Sequence, residues 1–189
     1  HGENHPAVDG HQCAAIPHPW TDPVEVRKMV KLLAERLQKL KGASHSQEAY
    51  QQYLKEVNAV ESELKELFGQ VPQDQRAFIS HHANLDLFAR QYGLTVAGTI
   101  HEHGSAESAD PSVRHFSELL GIIRKQKIRV IVTDAGQNDS FARRLTEDEG
   151  LTAPLTLSFE SLKPRGQPGD TWVTMMLTNS RRLHKALQE

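Results

Sequence analysis

The chain has 189 residues, with 22 Lys and Arg against 24 Asp and Glu and a hydrophobic fraction of 38%. That suffices for a core, but no apolar run approaches the ~20 residues a membrane-spanning helix needs. The basic residues are scattered along helix faces, which argues against a nucleic-acid or anionic-membrane surface. The outliers are 11 histidines and a single cysteine, Cys13. One cysteine excludes an internal disulfide framework. His1, His5 and His11 gather at the front, His81 and His82 are adjacent, and His101 and His103 form a third cluster. Such local enrichment is what metal capture produces, although a histidine-rich terminus can also be inert.

Residues 1–20 mix Gly2, Gly10, Pro6, Pro17 and Pro19 with histidines and read as loop. Neither an initiator methionine nor a secretory leader precedes them, so the chain is expected to begin inside a longer protein. In Pro17–Pro23, PHPWTDP, Thr21 or Asp22 caps a helix that carries Pro23 in its first turn. Val26, Met29, Val30, Leu33, Leu37 and Leu40 recur every three or four positions, predicting an amphipathic helix to about Lys41. Its apolar stripe is expected to pack on other protein. A longer periodic stretch, Ser46–Phe68, carries Tyr50, Tyr53, Leu54, Val57, Val60, Leu64, Leu67 and Phe68 on one face. At 1.5 Å per residue it makes a strut of roughly 33 Å.

The stretch AFISHHANLDLFARQYG, Ala77–Gly93, reads as a short buried strand (Ala77–Ser80), two histidines, and a helix over Asn84–Tyr92 with Asn84 as its cap. Strands are then expected at Leu94–Ile100, Ile128–Thr133 and Leu155–Ser158, alternating with helices at Ser112–Gln126, Asn138–Glu149 and Asp170–Leu187, the last capped by Asp170. Strand–helix alternation implies right-handed βαβ units. The fold class is therefore α/β: a four-stranded, mostly parallel sheet with flanking helices, preceded by an amphipathic helix and a long strut helix. The chain divides into a His-rich loop segment (1–20), the two helices (21–71) and an α/β lobe (72–189).

Ligands of open α/β sheets bind beyond the carboxyl ends of strands. Neutral imidazole is the commonest protein ligand for zinc-like ions, so His81 and His82 read as a metal site, with simple solvation as the alternative. His115 and His184 read as helix-surface residues, and Asp134, after the third strand, stands where a ligand can reach.

Taken together, HPWTDP, FISHHANLDLFARQYGL, DPSVRHFSELLGIIRKQKIRVIV and GDTWVTMMLTNSRRL resemble the second half of the zinc- and manganese-type substrate-binding proteins of bacterial ABC importers. The resemblance covers nearly all of Pro17–Leu187. It implies two α/β lobes joined by one long helix, a single metal ion between them, and two ligands from each lobe. Carried over by position, the histidine before the Trp-x-Asp-Pro turn is His18, the histidine six residues before Phe88 is His82, and the last carboxylate is Glu160, where an aspartate is usual. Asp134 is not assigned to the metal. His81, His1, His5, His11, His101 and His103 stand as secondary donors.

The resemblance implies that the first lobe falls outside this stretch of sequence, which is then expected to supply three of the family's four ligands. The resemblance implies capture of one divalent ion, zinc with manganese as the alternative, in the periplasm or outside the cell, and delivery to a membrane permease without chemistry. Two other classes stay open. A zinc hydrolase would need an open coordination position and a base such as Asp134, yet His-Glu-x-x-His, Gly-x-Ser-x-Gly and phosphate-loop signatures are missing. A truncated interaction domain would associate through Met29, Val30, Leu33 and Leu37 of the first helix.

Overall fold

The computed structural model describes residues 18–40, 46–101 and 111–189; His1, His5, His11 and His103 lie outside these ranges. After a 3-10 turn at Pro19–Thr21, α1 spans Pro23–Leu37, with the Asp22 carboxylate accepting from Val24 N at 2.8 Å and Pro23 in the first turn. Helix α2, Ser46–Gly69, is the strut. Then come β1 (Ala77–Ser80), α3 (Asp86–Gln91), β2 (Thr95–Thr99), α4 (Val113–Gln126), β3 (Val132–Asp134), α5 (Ser140–Asp148), β4 (Leu155–Leu157) and α6 (Trp172–Gln188). None of the described helices is long and apolar enough to cross a membrane.

All strand pairs are parallel, in the order β2-β1-β3-β4. The sheet is tighter at its edges than in its middle. β1 pairs β2 and β3 pairs β4 as ladders, while β1 and β3 meet at one bridge, Ile79 to Ile131, with Ile79 N bonded to Val130 O at 3.1 Å. The run Ile128–Thr133 yields a strand only from Val132, because its first residues still finish α4. Lys127 is left-handed, and Ile128 N bonds back to Ile123 O. A bulge between Phe78 and Ile79 shifts the β1–β2 register. Nearby, Gly98 lets β2 lie against α4, since a Cβ there would meet Leu119 Cδ2 at 2.9 Å.

Side chains alternate across a strand, and the two cores follow that rule. Phe78 and Val132 join Val60, Leu64 and Phe68 of α2, Phe88 of α3 and Met176 and Leu183 of α6 on one side. Ile79 and Ile131 join Leu119 and Ile123 of α4 and Leu145 of α5 on the other. Each such side chain fully buried contributes about 1.5–3 kcal/mol. Helix α1 packs on α2 and buries Val26 and Ala34, but Met29, Leu33, Leu37 and Leu40 are exposed. The apolar row expected from its periodicity is thus only partly covered.

His184 corrects its surface reading. Its ring lies edge-on to Phe68, and its Nε2 is buried without a hydrogen-bond partner among the described residues. Burial pushes its pKa below the ordinary value of 6.5. The unfolded chain therefore takes this proton first as pH falls, so the stability it contributes is present above about 6.5 and is lost through the lower folded value. Metal-free protein is expected to melt at progressively lower temperature between about pH 7 and pH 5, and His184→Leu to flatten that fall; calorimetric melts across the range check it.

A candidate metal site at the strand ends

Four elements deliver the polar residues that gather at the carboxyl ends of the strands. β1 runs directly into His81 and His82, and β3 ends at Asp134. Beyond β4, Ser158 is held by the Asn179 side chain of α6, which accepts from its N–H at 3.1 Å and donates to its carbonyl at 2.9 Å. That buried amide acts as a substitute neighbouring strand and fixes the approach to Phe159 and Glu160. His18 arrives from the other end of the chain, in a left-handed conformation with φ 54°; its carbonyl accepts from Thr21 N and Thr21 Oγ1.

Two indoles lock this turn in place. Trp20 Nε1 donates to Phe159 O at 2.9 Å, and Trp172 Nε1, at the start of α6, donates to Trp20 O at 2.7 Å. The turn bearing His18 is therefore tied to the residue preceding Glu160 and to α6.

Within this frame His18, His82 and Glu160 each offer one donor atom, all within 4.8 Å of one another. Glu160 Oε1 lies 3.2 Å from His18 Nδ1 and 3.9 Å from His82 Nε2, and the two imidazole rings meet edge-on at 5.1 Å. Two nitrogens and one carboxylate oxygen suit zinc or a related divalent ion, with room for a fourth ligand.

His81, His82 and Asp134 make a second, deeper group that satisfies the same distance condition. Asp134 Oδ2 lies 2.8 Å from His82 Nδ1 and 3.5 Å from His81 Nδ1. Sequence reasoning left this acid out of the metal set; the structure puts it behind His82, where a carboxylate orients a ligating imidazole and raises its basicity. His81 is nearly fully buried, its ring perpendicular to that of His82 and 4.7 Å from that of His101. Burial, reinforced by the neighbouring histidines, pushes its pKa below the usual histidine value in spite of Asp134.

Asn84 was expected to cap α3. It does not, since Leu85 occupies that position without a side-chain bond. The carboxamide instead turns inward between Asp134 and Glu160. α6 is likewise capped by Thr171, in a reciprocal box with Thr174, and not by Asp170. His115, read as a surface residue, is part-buried, with Nε2 2.8 Å from Thr99 O.

The fold is that of periplasmic metal-binding proteins. The manganese-bound protein of Candidatus Liberibacter asiaticus superposes with a TM-score of 0.78 at 17% identity, over 90% of this chain and 63% of that one. The periplasmic zinc-binding protein TroA of Treponema pallidum gives 0.77 at 20% identity, with the same coverage. Residues 1–186 match the family described as ZnuA, zinc-uptake complex component A, periplasmic, and the chain belongs to that family. It is 23% identical to the zinc-binding lipoprotein AdcA of Streptococcus pneumoniae over all of this chain and 37% of that protein. To the metal ABC transporter substrate-binding lipoprotein SloC of Streptococcus mutans it is 22% identical, over 92% of this chain and 56% of the relative. The chain thus spans roughly a third to a half of the curated relatives it matches. The roles in these names are zinc binding for AdcA and substrate binding for SloC, neither of them an enzymatic one.

Proposed function

We propose that this chain is the metal-capturing part of an extracytoplasmic receptor that takes one divalent ion as cargo, zinc ahead of manganese, and hands it to an ABC permease. The observation that carries the reading is the convergence of His18, His82 and Glu160 on one point at the strand ends. These three are the proposed ligands, His82 and Glu160 from a metal-binding lobe over 72–189 and His18 from the His-rich segment over 1–20, with 21–71 supplying the first helix and the strut. Preference for zinc follows from the donors, since imidazole suits zinc while manganese prefers oxygen. Asp134 and His81 support the site from behind, and His1, His5, His11, His101 and His103 are secondary collectors of metal.

A hydrolytic role is disfavoured by the state of its best base. Asp134 is nearly fully buried, with Asn84 bonded to one oxygen and the two histidine rings facing the other, which leaves it badly placed to take a proton from water. The exposed apolar row on α1 favours one additional element, that this face is covered by further protein.

Isothermal titration with zinc and with manganese tests the proposal. Saturable one-to-one zinc binding is expected, weakened about tenfold or more in Glu160→Gln, where a charged donor becomes a neutral one. The absence of saturable binding to the unsubstituted chain overturns it.

A further inference from the structure

Asn84 is absent from the proposed ligand set, yet its carboxamide touches both acids of the site. Nδ2 donates to Asp134 Oδ1 and to Glu160 Oε1, each at 3.0 Å, while Oδ1 accepts from Ser80 Oγ at 3.1 Å. Ionised carboxylates only accept, so the NH2 group must face the two acids and the carbonyl must face the hydroxyl. Both amide hydrogens are then committed. Three of the four partners are rigid, since Ser80, Asn84 and Asp134 are all at most 4% exposed; Glu160, with a side chain 33% exposed, is the mobile one.

The oxygen that Asn84 holds, Oε1, is also the one that faces His18 and His82. A glutamate arm has three torsions and would otherwise sample many carboxylate orientations. Here one oxygen is pinned toward the imidazoles. Bringing the second oxygen level with it would require the carboxylate to turn, stretching the bond to an amide that Asp134 and Ser80 keep from following.

We propose that Asn84 is a specificity-determining residue, which restricts Glu160 to donating a single oxygen and thereby favours zinc over manganese. Zinc is content with four ligands in a tetrahedron. Manganese seeks a larger, oxygen-rich shell, and a carboxylate giving both oxygens is the cheapest way for this chain to enlarge it. The inference rests on the proposed metal-receptor reading of the same residues.

The test is the ratio of manganese to zinc dissociation constants, measured by competition titration with the metals alone, for the unsubstituted chain and for Asn84→Ala. The ratio is expected to fall about tenfold, the size of one lost charge-assisted hydrogen bond, while metal-free melting confirms a folded chain. A purely structural role would weaken both metals alike and leave the ratio unchanged, and that result overturns the inference. If Asn84→Ala does not fold, Asn84→Ser carries the comparison, because it keeps a small polar group beside Ser80 but is too short to hold Glu160; the same fall is expected and an unchanged ratio is again fatal. Failure of the unsubstituted chain to bind zinc would overturn the receptor reading itself, and this inference with it. Zinc binding with an unmoved ratio removes only the role of Asn84.

Discussion

His82→Ala is expected to abolish measurable zinc binding under conditions that saturate the unsubstituted chain. His82 is the one side chain common to both groups of donors, with Nε2 toward Glu160 and Nδ1 toward Asp134. Removing a group that merely orients a ligand costs roughly 10- to 100-fold in affinity. Removing His82 takes away a ligand and also leaves Asp134 facing a void, so the loss exceeds that range. His82 is part-exposed and outside both apolar cores, so the metal-free variant should stay folded, with a melting temperature lowered by about the cost of taking a partner from buried Asp134, roughly 1–3 kcal/mol. Retained tight zinc binding in a folded His82→Ala protein would show that the metal sits elsewhere. A competition assay with a chromophoric chelator, run beside thermal melts, separates the outcomes.

The frame of the site was more legible than its interior. Ala77–Ser80 is a strand with the bounds expected of it, because a short run buried on both faces and followed directly by a turn leaves little choice. His18, His82 and Glu160 were matched through separate motifs and do converge. What stayed hidden was the set of contacts linking distant segments. Asn84 precedes a helix and so reads locally as a cap, but its bonds reach 50 residues along the chain to Asp134 and 76 to Glu160. No local propensity carries that information.

Position along a helix misled in the same way. Asp170 and Thr171 are both good capping types, and the choice fell to Thr171 because Thr174 returns a hydrogen bond to it, leaving Asp170 to accept from Gly166 N and Thr174 Oγ1. His184 shares a helix with exposed Arg181, Arg182 and Lys185 and reads as one of them until Phe68 of the strut is seen to pack against its ring. The middle of the sheet was overread. An apolar run marks a segment that will be buried, but the cap of α4 decides where extended pairing begins.

Phe88→Ala is expected to cost about 3–5 kcal/mol of stability, the range for emptying a fully buried aromatic site. Phe88 has no exposed surface, and its ring meets those of Phe68 at 5.5 Å, Tyr92 at 4.9 Å and Phe159 at 5.4 Å. It therefore joins the strut α2 to α3 and to the chain segment leaving β4. At a few degrees per kcal/mol for a domain of this size, the melting temperature should drop by roughly 6–20 °C. The site should feel the same cavity, since Phe159 immediately precedes Glu160 and its carbonyl receives the Trp20 indole that holds the His18 turn. With Phe159 free to shift, His18 and Glu160 lose their common reference, and zinc affinity should weaken although no proposed ligand has been touched. Saturating zinc should raise the melting temperature of the variant, because binding to the folded state alone draws the equilibrium toward it. Calorimetry with and without zinc checks both halves. A loss of less than about 1 kcal/mol would mean that the neighbouring rings collapse into the vacancy, and normal zinc affinity would mean that the His18 turn is held by Trp172 independently of this core.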